Sequence, residues 1–237
     1  MSDTPPLPES HGNIRRRKSV TVEEVIAEFL KNELHHEEFD PYRAKIERLV
    51  STPNLNNADE NALRRALLYL RRGAMWRELP DDTQWFEVDI ATSDLTGVRV
   101  FPRAQWRRVS QGSFYLNDIV QEIRRGSVEE PDDEFFSKLR RLSKEDTVNR
   151  TVLLIGVNDT EPVTILDGNH RIAAAMLGDP ETVLQRFRFL CGFSPRMTEC
   201  CWYETNVTTL WRYAKNRMRY MPYDPEIDIG RFFQAEL

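Results

Sequence analysis

The feature that most constrains the fold lies between residues 151 and 178, where two apolar runs, a polar turn and an alanine-rich run follow one another. Residues 151–157 (TVLLIGV) and 163–166 (VTIL) are rich in β-branched side chains and are separated by a turn sequence, which predicts two paired strands. Residues 172–177 (IAAAML) are good helix formers and are followed by glycine, a common helix end. The sequence therefore predicts a β-hairpin that leads directly into a helix, with residues 167–171 (DGNHR) at the junction.

The five polar residues at this junction combine groups that suit an anion. The first backbone N–H groups of a helix have no partner within the helix, and the helix dipole favours negative charge there. Asp167 adds a carboxylate, His170 a group that titrates near neutral pH, and Arg171 a planar cation. Asp167 and Asn169 are equally ordinary helix caps, and Gly168 is an ordinary turn residue. Spacing alone therefore leaves both a phosphate site and a plain strand-to-helix turn open.

The DGNHR motif and its alanine-rich helix resemble the signature of the ParB/sulfiredoxin superfamily. The similarity is closest to the branch that contains free-serine kinases, whose version reads Asp-Gly-His-His-Arg, so that Asn169 replaces a histidine. It covers a few dozen residues around the motif, with a looser agreement in element order from about Trp85 to Phe193. The resemblance implies an α+β fold, a small mixed β-sheet of ParB/sulfiredoxin type surrounded by helices. Sulfiredoxin activity would require a cysteine in the motif, and this motif has none.

The same resemblance implies a nucleotide-dependent phosphotransferase. Such a small-molecule kinase would use ATP or ADP with Mg²⁺ to phosphorylate a hydroxyl-bearing metabolite such as serine. Asp167 would then serve as general base or magnesium ligand, and His170 would share in catalysis. The nucleotide phosphates would be held by the remainder of the turn, namely Gly168, Asn169, His170 and Arg171.

Two further parts of this site are expected upstream of the motif. The kinases place a second carboxylate near the acceptor hydroxyl, and Glu87 in the first predicted core strand is the candidate here. The family forms its pocket between the motif and an earlier polar loop, so Ser110, Gln111 and Ser113 are candidates to line the substrate site. Ser113 is also well placed as an ordinary helix cap, and both roles stay open.

A nucleotide-binding module without turnover is the alternative, as in the ParB regulators that bind CTP and clamp DNA. Those regulators carry a helix-turn-helix region after the core, whereas residues 179–237 show one predicted strand and one long helix. The formal net charge is −5, and a duplex-DNA binder normally presents a basic face. We therefore expect a nucleotide and a small-molecule substrate as partners and do not expect duplex DNA, while the oligomeric state is open.

Composition and periodicity divide the chain into four parts. Residues 1–19 contain three prolines and a basic run of four, which predicts a disordered arm. Residues 20–73 carry three amphipathic patterns and are expected to form a helical subdomain packed on the core. Residues 74–200 correspond to the ParB/sulfiredoxin-like core, and residues 201–237 to a C-terminal helical extension.

Within these parts, several local signals make testable predictions. Thr21 and Glu24 form a capping box that starts the first helix. Alternating apolar residues predict strands over 86–90 and 98–101. A helix predicted over 205–220 is expected to bury an apolar stripe made of Leu210, Trp211, Ala214 and Met218.

The cysteines and the hydropathy exclude several classes of protein. Cys191, Cys200 and Cys201 form no CxxC pair, so we expect buried thiols rather than disulfides or a zinc site. The chain has no run of eighteen apolar residues, and its polar, proline-rich N-terminal segment does not resemble a secretory signal. We therefore expect a cytoplasmic protein without a membrane partner.

Overall fold

A computed structural model describes residues 14–101, 104–110, 112–126, 133–144, 150–178 and 187–221, together with residues 227, 229 and 232. The strands are β1 (Arg15–Val20), β2 (Gln84–Asp89), β3 (Arg150–Gly156), β4 (Thr164–Asp167) and β5 (Phe187–Phe193). The helices are α1 (Val22–Glu33), α2 (Arg43–Ser51), α3 (Ala58–Trp76), α4 (Ala104–Val109), α5 (Leu116–Arg125), α6 (Asp133–Lys144), α7 (Asn169–Leu177) and α8 (Val207–Tyr220).

The described strands form one mixed sheet in the order β1-β2-β5-β3-β4. Strands β3 and β5 run parallel, and the other neighbours are antiparallel. A mixed sheet covered by helices confirms the predicted α+β class. The predicted hairpin and helix are confirmed as well, because β3 pairs with β4 and the next residues form α7. The motif therefore lies at the end of an edge strand and at the start of a helix.

Helices pack on both faces of the sheet. Because side chains alternate along a strand, Leu153 and Ile155 join one hydrophobic cluster, and Val152 and Leu154 join another. The first cluster includes the buried side chains of the N-terminal helices, among them Val25, Phe29, Leu30, Ile46 and Leu67. The second includes those of α5 to α7, among them Leu116, Ile119, Phe135 and Ile172. Helices α1 to α3 thus pack on the core. Helix α1 starts after the predicted Thr21 cap, whose hydroxyl accepts from the Glu24 N–H, but the Glu24 carboxylate pairs with Arg188 and does not complete the predicted capping box.

The predicted arm is wrong for residues 14–19. Strand β1 occupies Arg15–Val20 and pairs antiparallel with β2, where Lys18 lies opposite Glu87. The Lys18 ammonium lies 3.4 Å from the Glu87 carboxylate, so the basic run is matched by acidic residues on the neighbouring strand. Charged side chains are common on edge strands because they discourage pairing with other chains. Residues 1–13 lie outside the described residues.

The strand predicted over 86–90 is confirmed as β2, but the one predicted over 98–101 is not part of the sheet. That segment makes isolated bridges through Arg99 to Tyr115 and Thr164. Backbone hydrogen bonds of 2.8 Å join Arg99 to Val163 and Ile165, so the segment pairs locally with the start of β4 without forming a strand of its own. Val98 and Val100 are buried and Arg99 is half-buried, which accounts for the alternation.

Helix α8 begins after an Asn206 cap and confirms the predicted closing helix. The expected burial of its apolar stripe is wrong, because Leu210, Trp211 and Met218 are 49%, 68% and 56% exposed. The side of α8 that faces the protein is instead polar and aromatic. Thr209 is buried there, and Asn216 donates a hydrogen bond of 2.8 Å to Glu78.

The prediction of buried thiols is confirmed for Cys191, Cys200 and Cys201. Burial raises the pKa of Cys200 to about 12, which keeps the thiol protonated and unreactive at neutral pH. Among the described residues, none of the helices has the length and apolar character needed to span a bilayer.

Candidate functional site

The motif lines a cleft of about 880 Å³ between the N-terminal helices and the sheet. Its lining comes from the turn at residues 167–171, from the C-terminal half of α1 and from side chains of α3 and α6. A volume in this range is typical of sites for small molecules and cofactors.

The turn itself is shaped by Gly168. Its φ of 104° is a conformation that residues with a side chain rarely adopt, and an added Cβ would lie 3.1 Å from Val152. The first hydrogen bond of α7 runs from Ile172 N to Gly168 O at 3.0 Å. The N–H groups of residues 169–171 precede this bond and so have no acceptor within the helix. The cleft therefore borders a helix N-terminus with the polarity that favours an anion.

Asp167 is held from two sides at the end of β4. Its Oδ2 atom accepts a hydrogen bond of 2.7 Å from Arg171 and one of 3.2 Å from Asn32. Asn32 comes from α1 and also donates to the Thr151 carbonyl at 3.0 Å. Both of these hydrogen bonds from described residues end on Oδ2 of Asp167 and not on its Oδ1. Asp167 therefore ties the motif to α1 and keeps one carboxylate oxygen for other partners.

A second carboxylate in the cleft comes from α1. Glu28 Oε2 accepts a hydrogen bond of 2.6 Å from the Thr151 hydroxyl, and Lys31 donates to Oε1 at 2.7 Å. Burial alone would raise the pKa of Glu28, but the hydrogen bonds from Lys31 and Thr151 together with the charges of Lys31 and Arg188 lower it below its ordinary value. Thr151 and Asn32 thus connect Glu28 to Asp167. The connection places two carboxylates from different elements in one cleft.

His170 and Asn169 line the same cleft. The His170 ring packs against Trp106 and Phe135, with centroid distances of 4.9 and 5.3 Å. Asn169 Oδ1 accepts a hydrogen bond of 3.3 Å from the backbone N–H of Phe101. Asn169 therefore holds the backbone at Phe101, two residues after the β-bridges of Arg99, next to the motif.

The cleft carries an excess of positive charge. Of the described residues that line it, eight are lysine or arginine and three are aspartate or glutamate, although the whole chain is acidic. The cations are Lys31, Arg43, Arg71, Arg72, Lys138, Arg141, Arg150 and Arg171, and the carboxylates are Glu28, Glu33 and Asp167. An excess of cations in a cleft concentrates anions there.

Several of these cations are already neutralised. Arg71 donates to Glu33 at 2.7 Å and to Glu38 at 2.8 Å, and it also meets His36 at 3.0 Å. Lys138 differs, because no carboxylate of the described residues lies within ion-pair distance of its ammonium group. Burial lowers the pKa of Lys138, and the nearby charges of Arg141 and Arg171 lower it further against the pull of Glu33 and Asp167. An anion in the cleft would relieve this repulsion.

Other predicted site residues lie elsewhere. Glu87 is on the same side of the sheet but is bound by Arg188 at 2.7 Å and by Lys18, and it does not line the cleft. Ser110 donates to the carbonyls of Trp106 and Ser113, within its own loop. The structure therefore does not bring Glu87 or Ser110 to the cleft that the motif lines.

Ser113 likewise serves its own loop. Its hydroxyl donates to Asp118 at 2.5 Å and accepts from the Tyr115 N–H at 3.1 Å. The N-cap of α5 is Tyr115, so the helix-cap role that stayed open for Ser113 is wrong, although Ser113 bonds to the start of that helix. It does not line the cleft. Gln111 lies outside the described residues. From this region, Gln105 and Trp106 line the cleft instead.

Sequence reasoning missed the contribution of α1. Glu33 follows Phe29 and Leu30 at helical spacing and is buried, so a charged residue occupies a position of the apolar stripe. This was a usable signal, because a buried carboxylate requires a partner. Glu28 and Asn32 lie one turn apart on the same helix and share a face. No local pattern indicated that this face meets the motif.

The donor set fits a magnesium ion only if the ligand brings most of the coordination. Within the described part of the chain, no cluster of three or more histidine, cysteine, aspartate or glutamate side chains could hold a metal ion. Mg²⁺ in nucleotide sites is commonly bound by one or two carboxylates together with phosphate oxygens and water. Asp167 Oδ1 is the atom that the motif offers for this purpose.

Comparisons with protein-family models, with curated proteins and with solved structures found no match. The assignment of function therefore depends on the residues and the geometry of the cleft.

Proposed function

We propose that the protein is a nucleotide-dependent phosphotransferase that acts on a small hydroxyl-bearing metabolite such as serine. One observation carries the proposal. An acidic chain concentrates lysine and arginine in the cleft that its DGNHR turn borders. Phosphoryl transfer depends mainly on positioning and on neutralising charge, and the excess of cations in this cleft supports the proposal on the second count.

The phosphates bind at the turn in this proposal. The N–H groups of residues 169–171 donate to phosphate oxygens, and Lys138 and Arg141 add charge from α6. Arg171 contributes its charge while it holds Asp167 in place. Mg²⁺ that arrives with the nucleotide would neutralise further phosphate charge beside Asp167 Oδ1.

In this proposal the acceptor hydroxyl lies near the carboxylates of Asp167 and Glu28. Its oxygen attacks the terminal phosphorus, the bond to the bridging oxygen of the nucleotide breaks, and the hydroxyl proton passes to a carboxylate. Asp167 is our first candidate for this base. Glu28 replaces Glu87 as the second, because Glu28 lines the cleft and Glu87 does not.

Binding is tested by titrating the protein with ATP, ADP and CTP in the presence of Mg²⁺. Lys138→Gln should weaken the binding of the preferred nucleotide about ten- to hundredfold, the value of a lost charge-assisted contact. Lys215→Gln is the matched control, since Lys215 is an exposed residue of α8 outside the cleft. Equal affinities of wild type and Lys138→Gln would contradict the phosphate site.

Turnover is tested on a panel of hydroxyl metabolites with the nucleotide that binds. Asp167→Asn should keep nucleotide binding and lower the rate of phosphoryl transfer at least about a hundredfold, because asparagine cannot accept the proton. Glu28→Gln tests the second carboxylate in the same way. A rate that survives both substitutions would remove both residues from catalysis.

A non-catalytic nucleotide-binding module of ParB type is the second candidate. It is favoured by the contacts of Asp167, whose Oδ2 atom is occupied by Arg171 and Asn32 as in a structural carboxylate. Nucleotide binding without product on any acceptor would support this alternative. Tight, sequence-dependent binding to duplex DNA at physiological salt would support it further.

A further inference from the structure

A second cavity of about 420 Å³ lies between α3 and α8. Its lining is rich in aromatic side chains, namely Tyr69, Phe101, Trp202, Tyr213 and Tyr220. Helices α3 and α8 lie outside the part of the chain that resembles the ParB/sulfiredoxin superfamily. The cavity is therefore a feature of this chain rather than of that core.

The aromatic cavity adjoins the cationic cleft. Arg71, Arg72, Met75 and Phe101 line both spaces, so the wall between them is formed by these residues. The helical path of α3 is interrupted in this wall, at Arg72, whose φ and ψ are −140° and 24°. Arg77 and Arg217 also line the aromatic cavity, and the Arg77 guanidinium lies 4.4 and 4.0 Å from the ring centroids of Tyr69 and Tyr220. A ligand that extends past this wall would therefore meet cations in both spaces and aromatic rings mainly in the second.

Phe101 connects the wall to the motif. Its backbone N–H donates to Asn169 Oδ1 at 3.3 Å, and its ring stacks on Trp202 with a centroid distance of 4.3 Å and an interplanar angle of 24°. The indole N–H of Trp202 donates to the Met75 carbonyl at 3.2 Å, and the Tyr213 ring meets the indole edge-on at 4.9 Å. The rings of the cavity are thus held in fixed orientations next to the turn.

We infer that the aromatic cavity holds the base of the nucleotide whose phosphates occupy the cationic cleft. This inference rests on the proposed function. Every nucleobase has a flat π-face that stacks on aromatic side chains, and such stacking increases the affinity of a protein for its nucleotide. A cavity of this size is within the usual range for a small ligand. Asn216 also lines the cavity. Its amide nitrogen donates to Glu78, so in this proposal its amide oxygen accepts a hydrogen bond from the base.

The test compares ATP with inorganic tripolyphosphate, which has the phosphates but no base. Wild type should bind ATP at least about tenfold more tightly than tripolyphosphate, and Trp202→Leu should remove most of this difference while tripolyphosphate binding is unchanged. Trp211→Leu is the matched control, because Trp211 is exposed on the outer side of α8 and should leave both affinities unaltered.

The outcomes separate the two proposals. Equal wild-type affinities for ATP and tripolyphosphate would overturn the base cavity but keep the phosphate cleft, whereas failure of both ligands to bind would overturn both. An unchanged ATP affinity in Trp202→Leu would also overturn the base cavity. If circular dichroism shows that Trp202→Leu is unfolded, Tyr213→Leu provides the same comparison with a half-buried ring.

Discussion

Helices α1 and α8 both carry an apolar stripe at helical spacing, but α1 turns its stripe toward the sheet and α8 turns its stripe toward solvent. Val25 and Phe29 of α1 are almost fully buried, whereas Val207 and Trp211 of α8 are 86% and 68% exposed. An apolar stripe in the sequence therefore identifies a helix, but it does not identify the side of the helix that packs on the protein.

Specific polar contacts decide the orientation of α8. Its Asn216 donates to Glu78, and its Arg212 donates to the Glu199 carboxylate at 2.8 Å. On α1 the polar side has a different use, because Glu28 and Asn32 face the cleft and contact β3 and the motif. The polar side of α8 thus fixes the helix to the fold, and that of α1 builds the candidate site.

The largest expected effect is on the buried stripe of α1. Phe29→Ala should lower the free energy of unfolding by about 3–5 kcal/mol, because it removes a buried ring and leaves a cavity between α1 and the sheet. Chemical denaturation followed by circular dichroism measures the change. A loss below about 1 kcal/mol would mean that α1 does not pack as described.

A smaller effect is expected on the polar side of α1. Asn32→Ala removes two hydrogen bonds and leaves the Asp167 carboxylate and the Thr151 carbonyl without a donor from α1, at a cost of about 1–3 kcal/mol. Lys31→Ala on the neighbouring exposed position is the control and should cost less than about 1 kcal/mol. Equal losses in the two variants would contradict a structural role for Asn32.

The contribution of buried Glu78, which accepts a hydrogen bond from Asn216 of α8, to the stability of the fold should depend on pH. Burial raises the pKa of Glu78, against the hydrogen bond from Asn216, and its Oε2 atom has no partner among the described residues. A raised pKa in the folded state contributes stability that is present below the unfolded value of about 4.3 and is lost as the pH rises through the folded value. Glu78→Gln does not titrate, so the variant should become more stable relative to wild type as the pH rises from about 4 to about 7. Parallel pH profiles for the two proteins would argue against this burial.

The smallest effect is expected on the exposed stripe of α8. Trp211→Ala should change the free energy of unfolding by less than about 0.5 kcal/mol, because the indole contributes little to the packed core. The same denaturation experiment as for Phe29→Ala gives the comparison directly. A loss similar to that of Phe29→Ala would show that the two stripes are equally buried.

Elements with local signals were predicted correctly. The β3–β4 hairpin, α7, β2 and the Thr21 cap follow from β-branched runs, helix formers and capping residues that act over a few positions. Strand β1 was missed, because a run of arginine and lysine has the composition of a solvated arm. In the structure it pairs with β2, where Arg15 lies opposite Asp89 and Lys18 opposite Glu87.

The part of the candidate site that was predicted is the part with a local sequence signal. Residues 167–171 are contiguous, and the structure places all five at the cleft. Glu87 was chosen by its position in a strand, but Arg188 of β5 binds it from the next strand, and no local pattern indicates that partner. Lys138 and Glu28 lie far from the motif in the chain, so their contribution to the cleft could not be read from spacing.

The amino-acid sequence alone determined the turn, because Gly168 is required by a positive φ and the flanking runs favour a strand and a helix by their own propensities. It also determined that the thiols are buried and that the class is α+β. Which surfaces face the turn depends on long-range packing, since α1, α3 and α6 bring charged side chains from distant parts of the chain into one cleft. Local propensity acts over a few residues, whereas the cleft is the product of contacts between distant ones.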